Sequence, residues 1–421
     1  MKYDVAVVGA GIVGLSSAYH LKRLNRDLNI VIIERYPTYA QGNTAKATAG
    51  FRDLYSSEVN YRLSNSSIAF YSHVQKSLNF DMGMHFLGYL FLLSESQQST
   101  SVIGKMLKRG SSRLLQKDEL ESIAGLNMKL NGEASRIMAM DNVAGGFYGE
   151  NCGIFEPDLI ASYYFMELQK MGVVFMFNTE VIELNLVAVP SVNYPGEPFL
   201  WQDKTVSSLI TNRGTIEADQ VVLANDIWVN KLLDPLGIDS HIRPKKRQVF
   251  QVKGKKLEEM LFDCNLNEEG IFPMTIVPKS GVHFRPSPKE NGFRVSGADE
   301  IGRSFDVEDN PQPEQSFYEY SLKPVLQEYF PPFAEARIQS MWAGYYSYNT
   351  IDSHPYIFKE LNLIIASGTS GSGLMKGDAI GRVVEGLYSG RENVELFGSK
   401  SISTTSLGVK ERNLPPEDFV L

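Results

Sequence analysis

The chain has 421 residues, of which 43% are hydrophobic and 21% charged, and its net charge is −8. These proportions are typical of a globular protein with a large core and two domains. The negative charge argues against a nucleic-acid-binding surface and against electrostatic attraction to membranes, and no apolar run approaches the ~18 residues of a membrane span.

The first motif in the chain is a glycine-rich turn between a strand and a helix. Apolar residues lead into Gly9-x-Gly11-x-x-Gly14, and a helical pattern follows. Gly9 permits a tight turn, Gly11 lets a pyrophosphate approach the backbone, and Gly14 lets the helix pack against the strand. The N-terminus of the helix offers N–H groups and a partial positive charge to phosphates. The residues predicted to form this dinucleotide site are Gly9, Ala10, Gly11, Ile12, Val13 and Gly14.

A second apolar run, Ile30–Ile33, ends at Glu34, which lies 20 residues after Gly14. An acid at the end of the second strand accepts hydrogen bonds from ribose hydroxyls. The alternative is a βαβ unit whose glycine pattern arises by chance. The loop that follows, residues 41–52, is rich in small side chains, which would let backbone approach a large planar ligand; the alternative for it is a flexible surface loop.

The rest of the chain predicts helices and strands in two groups. Helical patterns cover 57–79 and 158–171, and strands are expected at 85–93, 172–177, 180–184 and 219–224. From 231 to 330 the pattern is strand-rich, with runs at 248–252, 270–272, 282–285 and 293–296, which suits an antiparallel sheet covered on one face. A strand from Ile338 is followed by an aromatic turn, Trp342–Tyr348.

A second glycine-rich turn follows the buried run 362–368 and leads into a helix that ends near Tyr388. The N-terminus of that helix is suited to stabilise negative charge on a ring system. The basic cluster at 243–247 is interpreted as a solvated surface turn. Beyond about residue 395 no pattern is clear.

Cysteine use and the start of the chain predict a cytoplasmic protein. Cys152 and Cys264 are the two cysteines, and neither has the spacing of a metal or redox motif. No metal site is therefore expected. The first strand begins within a few residues of Met1, which leaves no room for a signal peptide.

A series of motifs runs through nearly the whole chain, from Val5 to about Gly390. It comprises Gly9-x-Gly11-x-x-Gly14, Glu34-Arg35, the small-residue loop closing at Arg52, Phe86-Leu87-Gly88-Tyr89-Leu90, Gly153 to Pro157, Val181, Ala218 to Ala224 with Trp228, Phe284-Arg285-Pro286, Trp342-Ala343-Gly344, Asp352-x-x-Pro355, Gly368-x-x-Gly371-x-Gly373 and Gly381-Arg382. In this series the chain resembles the D-amino-acid oxidase superfamily of flavoproteins. The likeness is greatest to sarcosine oxidases, dimethylglycine dehydrogenases and the β subunits of proline dehydrogenases.

The resemblance implies a two-domain α/β fold, with a GR2-type FAD-binding, Rossmann-like domain and an antiparallel-sheet substrate domain. The FAD-binding domain would comprise 1–80, 145–230 and 331–395, the substrate domain 81–144 and 231–330, and a tail 396–421. FAD would lie between the domains. Beyond the first turn, its expected neighbours are Glu34, Arg35, Gly42, Asn43, Thr44, Ala45, Thr48, Ala49, Gly50, Val181, Ala224, Asn225, Trp228, Gly344, Gly371, Ser372, Gly373, Leu374 and Met375.

The resemblance also implies roles for several side chains around a substrate. Arg52 matches an arginine that binds the substrate carboxylate, a role suited to its bidentate, always charged fork; the alternative is a surface ion pair. His283 stands where the family often places a tyrosine facing the substrate, and it is a polar contact, a base or a core histidine. Tyr346 falls in the aromatic turn near the flavin.

Two further positions are read from the same comparison. Lys376 lies one position beyond a lysine that contacts substrate or flavin, and Met375 holds the aligned position, so the backbone N–H groups from Gly373 to Met375 are the favoured contacts. Arg294 stands where some relatives carry a lysine that activates oxygen.

The departures from the family pattern concern the flavin. The positions of covalent flavin links hold Ala45 or Lys46 and Gly344 or Tyr345, and since none is His or Cys, non-covalent FAD is predicted. The usual glycine after Ala224 is replaced by Asn225-Asp226. A second arginine that some oxidases carry at 48–50 is missing, so oxidase and dehydrogenase both remain open.

The expected function is oxidation of the C–N bond of a small secondary amine or amino acid, with sarcosine, dimethylglycine or proline-like substrates preferred. The acceptor would be O2 or a redox partner, and an oligomer is possible. Alternatives are a 2-hydroxy-acid or glycerol-3-phosphate-type dehydrogenase on the same fold, and a flavoprotein subunit or assembly factor without turnover of its own. A nicotinamide-only dehydrogenase is disfavoured by the second glycine-rich turn.

Overall fold

A computed structural model of the chain describes residues 2–98, 101–278, 280–299, 301–410 and 412–419. Its strands are, in chain order, β1 (Lys2–Val8), β2 (Ile30–Ile33), β3 (Gly50–Phe51), β4 (Tyr89–Leu93), β5 (Ser112–Leu114), β6 (Gly145–Gly149), β7 (Gly153–Ile154), β8 (Val174–Met176), β9 (Val181–Val189), β10 (Asp203–Thr211), β11 (Gly214–Leu223), β12 (Ile242–Lys253), β13 (Met274–Ile276), β14 (Val282–Ser287), β15 (Gly292–Gly297), β16 (Arg337–Asn349), β17 (Tyr356–Glu360), β18 (Leu363–Ser367), β19 (Asn393–Glu395) and β20 (Ser401–Ser403).

The α-helices connect these strands and cover both sheets. They are α1 (Ile12–Leu24), α2 (Glu58–Ser77), α3 (Glu95–Gln98), α4 (Ser101–Leu107), α5 (Lys117–Glu121), α6 (Glu133–Ile137), α7 (Pro157–Lys170), α8 (Val229–Leu233), α9 (Lys255–Leu261), α10 (Gln315–Phe317), α11 (Lys323–Tyr329) and α12 (Gly373–Tyr388). Among the residues that the structure describes, no helix combines the length and the apolar character that crossing a bilayer requires.

The first sheet has the strand order β17-β18-β11-β1-β2-β8, and β9 and β10 extend from β11. β1 pairs in parallel with β2 and β11. Every residue of β2 and β18 is buried, as expected for parallel strands covered on both faces. Helices α1 and α12 pack closely because a Cβ atom on Gly381 would stand only 2.6 Å from the backbone of Ser16.

The second sheet has the order β16-β12-β15-β14-β13-β4-β6-β5. One face packs an aromatic core that includes Phe250, Phe284 and Phe293. Because side chains alternate along a strand, the intervening residues of the same strands, such as Arg247 and His283, lie on the opposite face. That face carries the polar side chains described below.

Two sequence-based predictions about this sheet are wrong. The aromatic turn Trp342–Tyr348 is part of the continuous strand β16, and the basic cluster at 243–247 lies in β12 rather than in a surface turn, with Arg247 buried. The two strands pair from Ile242 with Asn349 to Lys253 with Arg337. This pairing joins segments far apart in the chain, and local patterns do not reveal it.

Sheet membership also differs from the predicted division in two places. Strands β6 and β16, which the sequence assigned to the FAD-binding domain, are both paired within the second sheet. The strand expected at 270–272 lies instead at β13, since residues 270–273 have no strand pairing. Short apolar runs predict a strand but not its partner, so such segments are easily placed in the wrong layer.

Candidate active site

A cleft opens at the carboxyl ends of β1, β2 and β11 and extends to β12 and β16. Its place in the sheet is where α/β folds bind dinucleotides. The predicted cofactor residues that line it are Gly9, Gly11, Ile12, Val13, Glu34, Arg35, Gly42, Asn43, Thr44, Thr48, Val181, Ala224, Asn225, Trp228, Gly344, Gly371, Gly373 and Leu374.

The glycine-rich turn leaves backbone at the cleft because side chains cannot fit there. Gly9 has a φ of +101°, and a Cβ on it would stand 2.7 Å from the carbonyl oxygen of Ala224. A Cβ on Gly14 would stand 1.9 Å from the carbonyl oxygen of Gly9. Gly11 faces more open space, where the nearest atom to an added Cβ is Oγ1 of Thr44 at 3.3 Å. The structure therefore shows the tight turn that the motif predicts at Gly9 and the close packing that it predicts at Gly14.

Glu34 holds this turn in place. Its carboxylate accepts hydrogen bonds from the backbone N–H groups of Ala10 at 2.8 Å and Tyr36 at 3.0 Å. Burial raises the pKa of Glu34 above its ordinary value, although these two bonds oppose the rise. The carboxylate thus connects the end of β2 to the glycine-rich turn beside the cleft.

The loop after β2 closes over the start of α1. Oγ1 of Thr44 accepts from the N–H of Ile12 at 3.1 Å. The side chain of Asn43 donates to Asp226 at 2.7 Å and accepts from the N–H of Tyr345 at 2.9 Å. One asparagine therefore joins this loop to both walls of the cleft.

The chemistry of the cleft fits FAD. Oδ1 of Asn225 and Nε1 of Trp228 are buried polar atoms of lining residues, and neither has a hydrogen-bond partner within the described ranges. Buried polar atoms are rarely left unsatisfied, so both are suited to bind a polar ligand. The guanidinium of Arg35 lies 4.2 Å from the ring centre of Trp228 and adds positive charge at the same wall.

The remaining predicted cofactor residues do not line this cleft. They are Ala10, Gly14, Ala45, Ala49, Gly50, Ser372 and Met375. Gly50 packs against Tyr89, whose hydroxyl would be 2.0 Å from a Cβ at that position. The sulfur of Met375 faces the hydroxyl of Tyr55 at 3.1 Å. These residues support the lining rather than form it.

Tyr346 lines the cleft together with a residue that sequence reasoning missed, Arg247. The Arg247 guanidinium lies 5.3 Å from the Tyr346 ring centre and donates to the backbone oxygen of Asp299 at 3.3 Å. Burial raises the pKa of Tyr346, so its hydroxyl is protonated at neutral pH. Arg247 was missed because its basic cluster is typical of a surface.

Arg52 and Lys376 form a second group, which does not line the cleft. Both cations lie over the ring of Tyr55, with the Arg52 guanidinium carbon at 4.4 Å and Nζ of Lys376 at 4.5 Å from its centre. Arg52 is buried and donates to the backbone oxygens of Leu54 and Phe419, the latter at 3.1 Å. The alternative of a surface ion pair for Arg52 is wrong.

Lys376 is a buried amine. Its exposed fraction is 1%, and Nζ donates to Oδ1 of Asn60 and to Oγ of Ser372, each at 2.6 Å. Burial lowers the pKa of Lys376 from its ordinary value to about 7, and the positive charge of Arg52 contributes to the lowering. Its side chain therefore exists in both protonation states near neutral pH.

The pKa of His283 is affected by burial and by charges from both groups, those of Arg247 and Arg52. Burial lowers this pKa to about 4, and the two charges add to the effect. Nδ1 donates to the backbone oxygen of Gly281 at 3.1 Å, so the ring is neutral and Nε2 is left as the acceptor. Arg294, on the next strand, lies 3.7 Å from the carboxylate of Glu290.

The described residues contain no candidate metal-binding cluster. Within the described ranges, no three His, Cys, Asp or Glu side chains are grouped so as to hold a metal ion.

Comparisons with known proteins agree with this geometry. A family model described as FAD dependent oxidoreductase (DAO) matches residues 4–387. A relative from Xenopus laevis, named FAD-dependent oxidoreductase domain-containing protein 1, is 26% identical over 417 residues, which cover 90% of this chain and 78% of the relative. Sarcosine oxidase subunit beta from Arthrobacter sp. is 26% identical over 384 residues, which cover 89% of this chain and 84% of the relative.

Among solved structures, L-proline dehydrogenase from P. horikoshii superposes with a TM-score of 0.74 at 22% identity, covering 97% of this chain and 96% of that chain. A likeness at this identity establishes the fold, and it confirms the predicted two-domain α/β class. The family match confirms the resemblance that the motifs indicate. The chain therefore belongs to the DAO family of FAD-dependent oxidoreductases, and it is an enzyme that uses FAD.

Proposed function

We propose that this enzyme oxidises the C–N bond of a small secondary amine or amino acid and that Arg52 binds the substrate carboxylate. The observation that carries the proposal is the state of Arg52. It is a buried guanidinium whose two terminal nitrogens donate to neutral backbone oxygens, of Leu54 and Phe419. A carboxylate forms stronger, charge-assisted bonds with such a fork than a carbonyl does.

The names of similar proteins support the same substrate class. Sarcosine and proline are both secondary amines with a carboxylate, and proteins named for their oxidation resemble this chain in sequence and in fold. FAD, when bound, supplies a two-electron acceptor for the hydride that leaves the carbon beside nitrogen. The contributions of the chain are binding and orientation.

His283 is suited to accept a hydrogen bond from the substrate. An amine loses hydride readily only as the neutral base, whereas a free amino acid arrives with a protonated nitrogen. The neutral ring of His283 has its acceptor at Nε2, because Nδ1 is engaged with Gly281. Arg52 would fix the carboxylate, and Nε2 of His283 would accept a hydrogen bond from the substrate nitrogen. Because the pKa of His283 is about 4, its ring takes no proton from an ammonium group, and the substrate would react from its neutral amine form.

A second candidate function uses the same residue. The neutral ring of His283 could also accept a hydrogen bond from the hydroxyl of a 2-hydroxy acid, whose carboxylate would bind the same arginine, Arg52. The acceptor of electrons in either reaction is proposed to be O2 or a redox partner, and the FAD is proposed to be non-covalent.

The experiment compares R52M and R52K with the parent enzyme and with R62M, which removes a partly exposed arginine on α2. Anaerobic flavin reduction by sarcosine, L-proline and the corresponding hydroxy acids is followed by stopped flow. We expect R52M to lower the apparent affinity for the active substrate by about a hundredfold or more, R52K to recover part of it, and R62M to change nothing. An unchanged affinity in R52M would exclude the carboxylate role.

A further inference from the structure

Phe419 lies against Arg52, the residue proposed to bind the substrate carboxylate. Its backbone oxygen accepts from Nη2 of Arg52 at 3.1 Å. Its ring centre lies 4.5 Å from that of Phe91 and 6.0 Å from that of Phe147, in an edge-on arrangement with the latter. An oxygen on the arginine and an apolar group in the adjacent recess together match the outline of an amino acid.

The recess around this ring is built into the fold. Phe91 and Phe147 come from neighbouring strands of the second sheet, and both are buried. They belong to an apolar cluster that also contains Leu54, Leu93, Met274 and Ile276. Phe419 packs at the edge of this cluster and is only partly buried, whereas the residues around it are core.

The segment that carries Phe419 is anchored one step away from the ring. The buried carboxylate of Glu417 accepts from the N–H of Ser56 at 2.6 Å and from its hydroxyl at 2.7 Å, and it also accepts from Asn60 at 3.1 Å. Asp418, between the two, is exposed, and its N–H donates to the Ser56 hydroxyl at 2.9 Å. The N–H of Phe419 also donates to Glu417, at 3.2 Å. Departure of Phe419 would break this one bond to Glu417, whereas the bonds from Ser56 and Asn60 would still hold Glu417 in place.

We propose that the recess beside Arg52 is the side-chain subsite of the substrate and that Phe419 fills it in the resting protein. The substrate class is then a carboxylate-bearing amine with a large apolar or aromatic substituent. This inference rests on the proposed carboxylate role of Arg52. A substrate carboxylate displaces a neutral backbone oxygen from the guanidinium because the new bonds are charge-assisted, and its apolar substituent replaces the Phe419 ring against Phe91.

The test is equilibrium binding of two probes, acetate and 3-phenylpropanoate, to the FAD-loaded enzyme by titration calorimetry. Variant F419A removes the ring, and a chain shortened to residues 1–417 removes both the ring and the oxygen. Y320A, which removes an exposed aromatic ring of the second domain, is the control. The decisive quantity is the ratio of the two affinities, because a general loosening of the protein would change both alike.

In F419A the preference for 3-phenylpropanoate over acetate is expected to rise about tenfold over the parent, as the freed recess buries the phenyl group. The chain shortened to residues 1–417 also lacks the Phe419 oxygen that accepts from Arg52. It should bind both probes more tightly than F419A does and should show the same raised preference for 3-phenylpropanoate. Y320A should match the parent. An unchanged ratio in F419A, with acetate binding still lost in R52M, would overturn the subsite and leave the role of Arg52 intact. Binding of both probes that survives R52M would overturn the subsite and the proposed function together.

Discussion

Nζ of Lys376 donates a hydrogen bond to Oδ1 of Asn60 at 2.6 Å, and the amide nitrogen of Asn60 donates to Glu417 at 3.1 Å. One asparagine thus connects the buried amine at the start of α12 to the segment that covers Arg52. The contact places a titratable group beside the candidate substrate site, and its charge depends on pH near neutrality.

Replacement of Lys376 by Met should change how stability depends on pH. The pKa of Lys376 is lowered by burial to about 7 in the folded protein, from 10.5 ordinarily. Between these values the unfolded chain binds more protons, so the free energy of unfolding of the parent rises with pH, by at most about 1.4 kcal/mol per unit. K376M lacks this rise.

The measurement is urea unfolding of parent and K376M from pH 6 to pH 9. The difference in free energy between them should be constant below pH 7 and should move in favour of the parent above it. K410M, at an exposed lysine, serves as the control and should follow the parent throughout. A difference that stays level across the whole range would show that the amine is not buried as described.

Substitution of Gly11 by Val should remove FAD without unfolding the protein. A Cβ on Gly11 would stand 3.3 Å from Oγ1 of Thr44, a tight contact that a small shift of the Thr44 side chain relieves, and the branched side chain projects to where a pyrophosphate must approach. We expect G11V to weaken FAD binding about a hundredfold or more, by fluorescence titration of the apoprotein. G104A, in a position with open space around it, should bind FAD normally. Normal FAD binding by G11V would place the phosphates elsewhere.

Arg412 should anchor the segment that carries Phe419. It donates to the buried carboxylate of Asp352 through Nε at 2.6 Å and Nη2 at 2.7 Å. Burial alone would raise the pKa of Asp352, but hydrogen bonds from His354 and Arg412 outweigh it and hold the pKa below its ordinary value. This carboxylate therefore stabilises the fold above its unfolded pKa, and the contribution is lost as the pH falls through the lower folded value.

R412Q leaves that carboxylate without its bidentate partner. The expected loss is about 3–5 kcal/mol of unfolding free energy, measured by urea denaturation at pH 7, together with faster modification of Arg52 by phenylglyoxal under native conditions. Peptide mass spectrometry reads the second effect at a single residue. Destabilisation with Arg52 still protected would separate the anchor from the cover over the site.

The FAD should be released intact when the protein is denatured with acid. The positions that carry covalent flavin links in relatives are Ala45, Lys46, Gly344 and Tyr345 here, and none of them can form a histidyl or cysteinyl link. No His or Cys occurs among the described residues that line the cleft. After precipitation, the yellow colour is expected in the supernatant and the protein pellet should be colourless. Flavin retained in the pellet would mean a covalent link through another residue.

The sequence predicts best those features that are encoded locally. Gly9, Gly14 and Glu34 lie within one strand–helix–strand unit, where spacing alone dictates which backbone atoms come together. The structure shows the tight turn at Gly9 and the close packing at Gly14. Glu34 lies beside that turn, and its contact with a ribose stays a prediction. The position of β16 could not be read in this way. The aromatic run in β16 has the local pattern of a turn. It is a strand because it pairs with β12, for example Gly344 with Arg247, and this pairing joins segments about 100 residues apart.

Contacts between segments that are distant in the chain could not be predicted from the sequence either. The segment 412–419 has no hydrophobic period, so nothing in its pattern indicates that Glu417 is buried against Ser56 or that Phe419 reaches Arg52. The low pKa of His283 likewise depends on burial within the sheet and on charges contributed by β12 and by Arg52. Such effects arise from packing, which a single sequence does not display.

Amine oxidation is tested most directly by anaerobic reduction of the purified, FAD-loaded enzyme by a panel of substrates, followed in the visible spectrum. The panel comprises sarcosine, dimethylglycine, L-proline, D-amino acids, N-methyl amino acids with aromatic side chains, and 2-hydroxy acids. An amine bearing a carboxylate is expected to bleach the flavin, and admission of air then separates oxidase from dehydrogenase. Bleaching by hydroxy acids alone, or by none of these compounds, would contradict this expectation.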